Sequence, residues 1–578
     1  MTDSRIEELT LSAPAIQSWS VGDRVHTNWP VVYTLDDGTD IYIGESLNAA
    51  ARMRQHLESE QKRRLTAVKV VFDETFNKSA CLDLESYLIK LFAGDGKYRV
   101  LNRNVGIVDA DYFLRSEYHQ TFERVVKAFH DRNMFKRSIV EITNADLFKL
   151  SPFKALTDEQ MAAVRLIAER LLDNCVTPRL DKPNPLVIQG DPGTGKTIIA
   201  IYLMKLFCDI ATTVDGDEAD MESPLADLFN ESNGAILEDI RIGLVVPQQS
   251  LRKSIKAVFN STKGLSEAMV LSPFQVGEST ARFGILFVDE THRLNQRANQ
   301  PSGSLNRKFA EINARLFGED NDEWTQLDWI MKQSDQQVLL LDPLQSVRPA
   351  DLDAETQTTL IRDAQEEERY VRLWSQMRLA SGSDYVDYVR RMLSEAPPKP
   401  ATFSNYEFRL FDDLNDMRRA ILEKDEKVGL ARMVAGFAWK WITKASKDPQ
   451  AYDIDIDGCR LRWNSTDTDW ISSPDARNEV GSIHTVQGYD LNYAGVIIGR
   501  DLRLDPTSGR IRLDRNNYFD VKGKENNRRR GPYSDEEILS FVTNIYSVLL
   551  TRGMRGTYVY VCDSALREYL AQFILGSG

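Results

Sequence analysis

The sequence predicts an α/β protein of several domains, and three observations carry that prediction. Apolar, strand-like runs recur along the chain with helical patterns between them. One of these runs leads straight into a glycine-rich loop and a further helical pattern. At 578 residues the chain is also too long for a single hydrophobic core.

The strand-like runs from Ser151 onward read PLVIQG, IGLVVP, GILFVDE, QVLLLD, AGVIIG and GTYVYVCD. Near-continuous apolar strands of this kind are buried on both faces, which predicts parallel sheets covered by helices. From Val31 to about Val105 shorter strands alternate with helical stretches, predicting a separate small α/β unit. Residues 110–144 read as helical and mostly polar, a spacer. The acidic run within Val214–Asn233 reads as a solvated insertion.

Composition bounds the rest. The chain is 42% hydrophobic and 27% charged, a balance expected of a globular protein. No apolar run approaches the roughly 18 residues needed to span a bilayer. The acidic, signal-free start MTDSRIEELTLSAP and five scattered cysteines without a CxxC pair lead us to expect a cytoplasmic protein without a zinc site or a disulfide framework. A formal charge of −14 argues against whole-surface binding of nucleic acid and leaves room for a local basic channel.

The glycine-rich loop is GDPGTGKT, comprising Gly190, Asp191, Pro192, Gly193, Thr194, Gly195, Lys196 and Thr197. It matches G-x-x-x-x-G-K-[ST], with the strand LVIQ before it and the helical IIAIYLMKLF after it. Backbone N–H groups at the helix start would wrap phosphates, Lys196 would reach the β- and γ-phosphates of ATP, and Thr197 would sit on Mg²⁺. ILFVDE supplies two carboxylates at a strand end: Asp289 for the metal shell and Glu290 for the attacking water. His292 and Arg293 follow and could sense phosphate state.

Further segments fall in an order that resembles superfamily one helicases, from Phe153 to Asp563. LTDEQ resembles the adenine-reading segment, with Gln160 as reader. LVVPQQ (Leu244–Gln249) resembles the strand-end motif that touches the nucleic-acid backbone. LDPLQ resembles the GDxxQ element, with Gln345 toward the γ-phosphate and Leu341 in place of the usual glycine. WSQMR resembles the start of the second lobe, with Arg378 reaching the nucleotide. SIHTVQGYD, with Gln487 and Gly488, is similar to the segment joining ATP to the track, and YSVLLTR to the last motif, with Arg552 as arginine finger. QGYDLNYAGVIIGRD and LLTRGMRGTYVYVCD look closest to the Schlafen-related branch of P-loop proteins. The resemblance implies two RecA-like parallel-sheet lobes, ATP as substrate, Mg²⁺ as cofactor and nucleic acid as partner. DNA is favoured over RNA, RNA is left open, and an oligomer or a partner protein is allowed.

In the amino-terminal unit, VVY and YIG resemble the two halves of a GIY-YIG nuclease domain, with VVY in place of GIY. ESLNAAARMRQH is similar to the helix bearing that family's arginine, here Arg52, followed by His56. DLESYLIKLF resembles the helix bearing its metal-binding glutamate, here Glu85, and VLNRN the closing asparagine segment, here Asn102. The resemblance implies a one-metal phosphodiesterase. Glu85 would hold Mg²⁺ or Mn²⁺, Arg52 would bind the scissile phosphate, Tyr33 with Tyr42 would help activate water, and His56 is an alternative base. A helix over Arg52–Lys69 would add Arg54, Lys62, Arg63 and Arg64 as a phosphate-binding stripe. A packed sheet with a surface glutamate is the competing account of the same residues.

The expected organisation is an extension over residues 1–30, a GIY-YIG-like domain over 31–108, a helical linker over 109–150, a first lobe over 151–355 and a second over 356–578. A basic insertion near 505–535 carries Lys522, Lys524, Arg528, Arg529 and Arg530. The fusion of nuclease and motor points by analogy to bacterial defence or DNA repair. An ATP-driven sensor whose amino-terminal domain only binds is the alternative.

Overall fold

The structure is a computed structural model. It describes residues 4–60, 62–103, 111–176, 184–213, 224–297, 300, 302–375, 383–444, 446, 448, 450–464, 470–486, 489–524 and 531–577. Arg378, Gln487, Gly488, Arg528, Arg529, Arg530 and the acidic run at 214–223 lie outside them. The chain divides into two compact units. One holds Met1–Pro178, Ile198–Ile240 and Ser254–Met269; the other holds Arg179–Thr197, Arg241–Lys253 and Val270–Gly578.

The amino-terminal unit is built on a five-stranded sheet in the order Arg5–Thr10, Ala67–Phe72, Val31–Asp36, Asp40–Ser46, Arg99–Val100. All pairs are antiparallel except the last. Alternation along the strands sends Val31, Tyr33 and Leu35 to one core with Ala49 and Met53, and Val32, Ile41 and Ile43 to a second core with Leu84, Leu88 and Phe92. Helices on both faces therefore bury the whole of Val31–Asp36. The helix Ala49–Glu58 is capped by Asn48, whose Oδ1 accepts from Ala51 N at 2.9 Å; Asn77 caps the helix Lys78–Asp95 in the same way through Ala80 N.

Three expectations change here. Residues 1–30 are not a separate extension, because Arg5–Thr10 is an edge strand of the sheet, a short polar-faced run that hides among acidic residues. The residues expected as a polar spacer include the helix Arg115–Asp131, which buries Tyr118, Phe122, Val125, Val126 and Phe129 in the second core. The expected helix over Arg52–Lys69 ends at Glu58, and Lys69 lies on a strand with its Nζ 2.8 Å from Asp36. Arg64 pairs with Asp40 and Arg63 with Glu60, so the basic residues do not form one helical stripe.

The second unit carries two sheets. The first, in the order Tyr370–Leu373, Leu186–Gly190, Ser334–Leu341, Phe283–Val288, Ile242–Val245, Val270–Leu271, is parallel throughout. Tyr370–Leu373 pairs in this first sheet, so the boundary expected at 355/356 falls too early; the next strand, Glu407–Phe411, belongs to the other sheet. That sheet has eight strands, ordered Ile454–Ile456, Cys459–Trp463, Glu479–Gly481, Ala431–Ala435, Leu491–Ile498, Gly553–Val561, Glu407–Phe411, Gly576–Ser577, and is parallel but for its first pair. Near the expected basic insertion, Leu502–Leu504 and Ile511–Leu513 form a two-stranded antiparallel ribbon. Among the described residues, no helix is long and apolar enough to cross a membrane.

Candidate functional site

The carboxyl ends of the first sheet's strands assemble the phosphate-loop site. The loop follows Leu186–Gly190, Asp289 and Glu290 follow Phe283–Val288, and Asp342 and Gln345 follow Ser334–Leu341. The registers Leu341↔Gln189 and Leu339↔Val288 bring all three ends to one edge, where ligands of open parallel sheets bind.

Within the loop, Gly193 and Gly195 have φ of 86° and 85°, the left-handed region that glycine enters without cost. A Cβ on Gly190 would lie 2.4 Å from Thr194 Oγ1. Lys196 Nζ donates to Gly190 O at 2.6 Å and to Asp191 O at 3.1 Å, and Thr194 Oγ1 donates to Asp191 O at 2.9 Å. Thr197 Oγ1 donates to Asp289 Oδ2 at 2.8 Å, joining the two expected metal-shell residues directly. Asp289 Oδ1 is buried without a hydrogen-bond partner. A hard cation needs oxygen donors of this kind, so the pair fits Mg²⁺.

The adjacent carboxylates titrate in opposite senses. Burial, and then the charge of Glu290, push Asp289 up. Burial alone would raise Glu290 too, but His292, Lys196 and Arg552 outweigh it and hold Glu290 well below the usual carboxylate range. Glu290 sits at φ 49°, a left-handed conformation costly for a side-chain-bearing residue and characteristic of functional sites. Its Oε2 lies 2.9 Å from His292 Nε2, an ion-pair distance without hydrogen-bond alignment. His292 Nδ1 accepts from Asp342 N at 3.2 Å, which leaves Nε2 facing Glu290. Arg293 is buried against Asp351 at 3.3 Å, and burial lowers its guanidinium to about 10.

The second sheet's lobe reaches this edge. Arg552, 2% exposed, donates through Nη2 to Gln345 Oε1 at 3.5 Å and through Nη1 to Tyr489 O at 3.3 Å. Gln345 Nε2 donates to Asp342 Oδ2 at 2.8 Å. Two arginines absent from the sequence-based site also converge here. Arg390 Nη1 donates to Asp191 Oδ1 at 2.9 Å and its Nη2 lies 3.5 Å from Asp342 Oδ2; Arg372 Nη2 donates to Asp191 Oδ2 at 3.2 Å. Neither falls in a motif, and no spacing signal marks them.

Gln160 has a local task in its own unit. Its backbone N donates to Thr157 Oγ1 at 3.2 Å and its Oε1 accepts from Thr157 N at 3.2 Å, a reciprocal cap at the start of Asp158–Val176. The T-x-x-Q spacing inside LTDEQ is itself that signature.

In the amino-terminal unit, Tyr33 pairs across the sheet with Gly44, so VVY and YIG lie opposite each other. A Cβ on Gly44 would lie 2.4 Å from the Tyr33 hydroxyl, which explains the glycine. The Tyr33 hydroxyl lies 2.7 Å from His56 Nε2, and the Tyr33, Tyr42 and His56 rings stand within 6.3 Å of one another. Burial raises Tyr33 well above the ordinary tyrosine value, with Tyr42, Arg52 and Glu85 close enough to add charge effects. Burial, then Lys62 and Arg52, lower His56 to about 2. Tyr33, Tyr42, Arg52, His56 and Glu85 thus come together, while Asn102 closes both its amide atoms on the Ile43 backbone, at 3.1 and 2.8 Å, as a clamp on YIG. Among the described residues, no group of three or more His, Cys, Asp or Glu could hold a metal.

A phosphate loop, a Thr–Asp pair, a neighbouring carboxylate and an arginine from a second parallel-sheet lobe define a P-loop helicase core. Residues 183–563 match the Schlafen group 3 DNA/RNA helicase domain, and the chain belongs to that family. It is 27% identical over 419 residues to the uncharacterized protein YPL245W of Saccharomyces cerevisiae, covering 67% of this chain and 84% of the yeast protein. A solved structure of a Saccharomyces cerevisiae Dbp5 variant bound to Nup159, a Gle1 variant, IP6 and ADP aligns at 12% identity over 72% of this chain and 92% of its own, with a TM-score of 0.27.

Proposed function

We propose that the chain is an ATP-dependent nucleic-acid translocase with a metal-dependent nuclease at its amino terminus, serving defence or repair. The observation that carries the motor is the path from Arg552 through Gln345 and Asp342 to His292 and Glu290. An arginine from a second lobe stabilises transition-state charge only when the lobes close, so hydrolysis becomes tied to lobe movement. Lys196 grips the phosphates, Thr197 and Asp289 would hold Mg²⁺, and Glu290, kept ionised, orients the attacking water. Bound there, Mg²⁺ would neutralise charge on the β- and γ-phosphates.

The nuclease reading is supported by Tyr33, Tyr42, Arg52, His56 and Glu85 sharing one site. The pKa directions redistribute their roles. A tyrosine raised by burial and an imidazole lowered to about 2 are weak general bases, so Tyr33 and His56 position groups rather than take the proton. Arg52 would bind the phosphate. A divalent ion on Glu85 would polarise it.

The same hydroxyl–imidazole bond favours a second reading, a binding-only domain on an ATP-driven sensor. Nicking of single- and double-stranded DNA and of RNA by the full chain and by Glu85→Ala, in Mg²⁺ and in Mn²⁺, decides between them. Metal-dependent cleavage lost in Glu85→Ala supports the nuclease; retained nucleic-acid binding without cleavage supports the sensor.

A further inference from the structure

Residues 346–351 form a turn of the first lobe that meets the second: Val347 is buried in the second lobe's apolar cluster with Ile483 and Tyr546. Two arginines share one carboxylate there. Asp351 is 2% exposed; its Oδ2 accepts from Val347 N at 3.1 Å and Arg348 N at 3.2 Å, and its Oδ1 from Arg348 Nη2 at 3.2 Å. The carboxylate is thereby taken up by its own turn. Arg293, 3% exposed, stands 3.3 Å from the same Oδ2 without a hydrogen bond to it. Its Nε and Nη1, together with Nε of Arg348, are buried donors without an acceptor among the described residues. Buried guanidinium N–H groups left unmet cost free energy that an acceptor ligand would recover.

We infer that Arg293 and Arg348 form an oxyanion site, and that its ligand is the inorganic phosphate freed from ATP. The proposal rests on the ATPase reading and adds to it a holding place for the product, which no motif assigns. Unmet donors on two guanidiniums call for an acceptor that is itself anionic and carries several oxygens, as phosphate does. Position selects the source. Arg293 closes the short turn Thr291–Arg293, and its backbone N donates to Glu290 O at 2.7 Å. The site therefore stands one turn from the carboxylate that orients the attacking water. A polymer backbone does not enter groups buried this deeply, whereas the cleaved phosphate is generated beside them. From the second lobe, His484 lies near enough that burial, then the charges of Arg348 and Arg293, hold it well below the ordinary histidine value. It stays neutral and adds no competing charge. With Val347 and His484 both tied to the second lobe, departure of the phosphate is linked to opening of the lobes.

The test is inhibition of ATP hydrolysis by the full chain with added inorganic phosphate, set beside inhibition by ADP. Phosphate should inhibit wild type, and more strongly when ADP is present, since both products then occupy their places together. Arg348→Gln is expected to weaken the inhibition constant for phosphate about tenfold while that for ADP stays within about twofold, and Arg293→Gln to do the same. Arg348→Lys, which keeps the charge, should recover part of the loss. The Arg348 side chain is 24% exposed, so its variants carry the test if Arg293→Gln fails to fold. Phosphate that leaves active wild type uninhibited, or inhibits wild type and Arg348→Gln alike, would overturn the site and leave the ATPase standing. So would equal weakening of phosphate and ADP, which would make the arginines supports of the lobe contact only. Lost affinity for single-stranded DNA or RNA with phosphate inhibition intact would overturn it too, by making them contacts for the track. If wild type neither binds nor hydrolyses ATP, the ATPase reading falls and the phosphate site with it.

Discussion

Arg552 of the second lobe meets Gln345 of the first, Nη2 to Oε1 at 3.5 Å, with both side chains buried. The distance is at the outer limit of a hydrogen bond, so the contact is one that lobe closure can tighten or exchange for phosphate. Asn544, on the helix Asp535–Leu550 that ends just before Arg552, donates to Ser346 O at 3.0 Å and holds the two lobes at the same place. Arg552→Ala should slow ATP hydrolysis by on the order of 10³ while changing nucleotide affinity little. Single-turnover hydrolysis beside equilibrium binding checks this. Lost binding with intact turnover at saturation would shift the role to Arg555, which is exposed on the strand Gly553–Val561.

Glu290→Gln should retain ATP binding and lose hydrolysis, because the amide keeps the shape but not the negative charge that orients water. His292→Ala should give a smaller loss of kcat at unchanged KM, since the imidazole acts through Glu290. Wild-type turnover in Glu290→Gln would remove that residue from the site.

Asp501 gives a pH dependence away from the phosphate loop. It is fully buried, accepts from the Tyr546 hydroxyl at 2.7 Å, and burial pushes it up to about 7 from 3.8. The native chain therefore keeps a proton that the unfolded chain has already released between those two values. Its contribution is most favourable below about 4 and is lost as pH rises through about 7. Asp501→Asn should gain melting temperature relative to wild type on going from about pH 5 to about pH 8. A difference that does not move with pH would contradict the raised value.

Gly44→Ala should destabilise the amino-terminal unit by about 1–3 kcal/mol, because the new methyl overlaps a buried tyrosine ring that has nowhere to turn. Limited proteolysis within residues 4–103 of the full chain reads this out. Wild-type resistance would mean that the sheet opens there at no cost.

How much of this was legible in the sequence depends on the physics of each part. Lys196, Thr197, Asp289 and Glu290 could be found because loop and strand-end chemistry are local: glycine geometry, a helix start, and carboxylates closing an apolar run. Tyr33 and Gly44 could be paired because a hairpin brings near neighbours together. Arg372 and Arg390 could not, since their bonds to Asp191 span 181 and 199 residues and depend on which strand lies beside Leu186–Gly190. The edge strand Arg5–Thr10 and the buried face of Arg115–Asp131 escaped notice because charged residues interrupt their apolar positions, and only the tertiary core shows which side is inward. The helix expected through Lys69 fails because Ser59 turns extended and Lys69 is drawn to Asp36 on the sheet. Gln160 shows the reverse case: one spacing, T-x-x-Q, that serves a helix cap as readily as a base reader.

The central claim is that one site hydrolyses ATP in response to a nucleic-acid track. The most direct measurement is the ATPase rate of the full chain and of Lys196→Ala, without polymer and with single-stranded DNA, duplex DNA or RNA, at fixed salt. The account predicts a wild-type rate that at least one polymer stimulates and that Lys196→Ala abolishes under every condition. A wild-type rate that no polymer changes, or one that survives in Lys196→Ala, would contradict it.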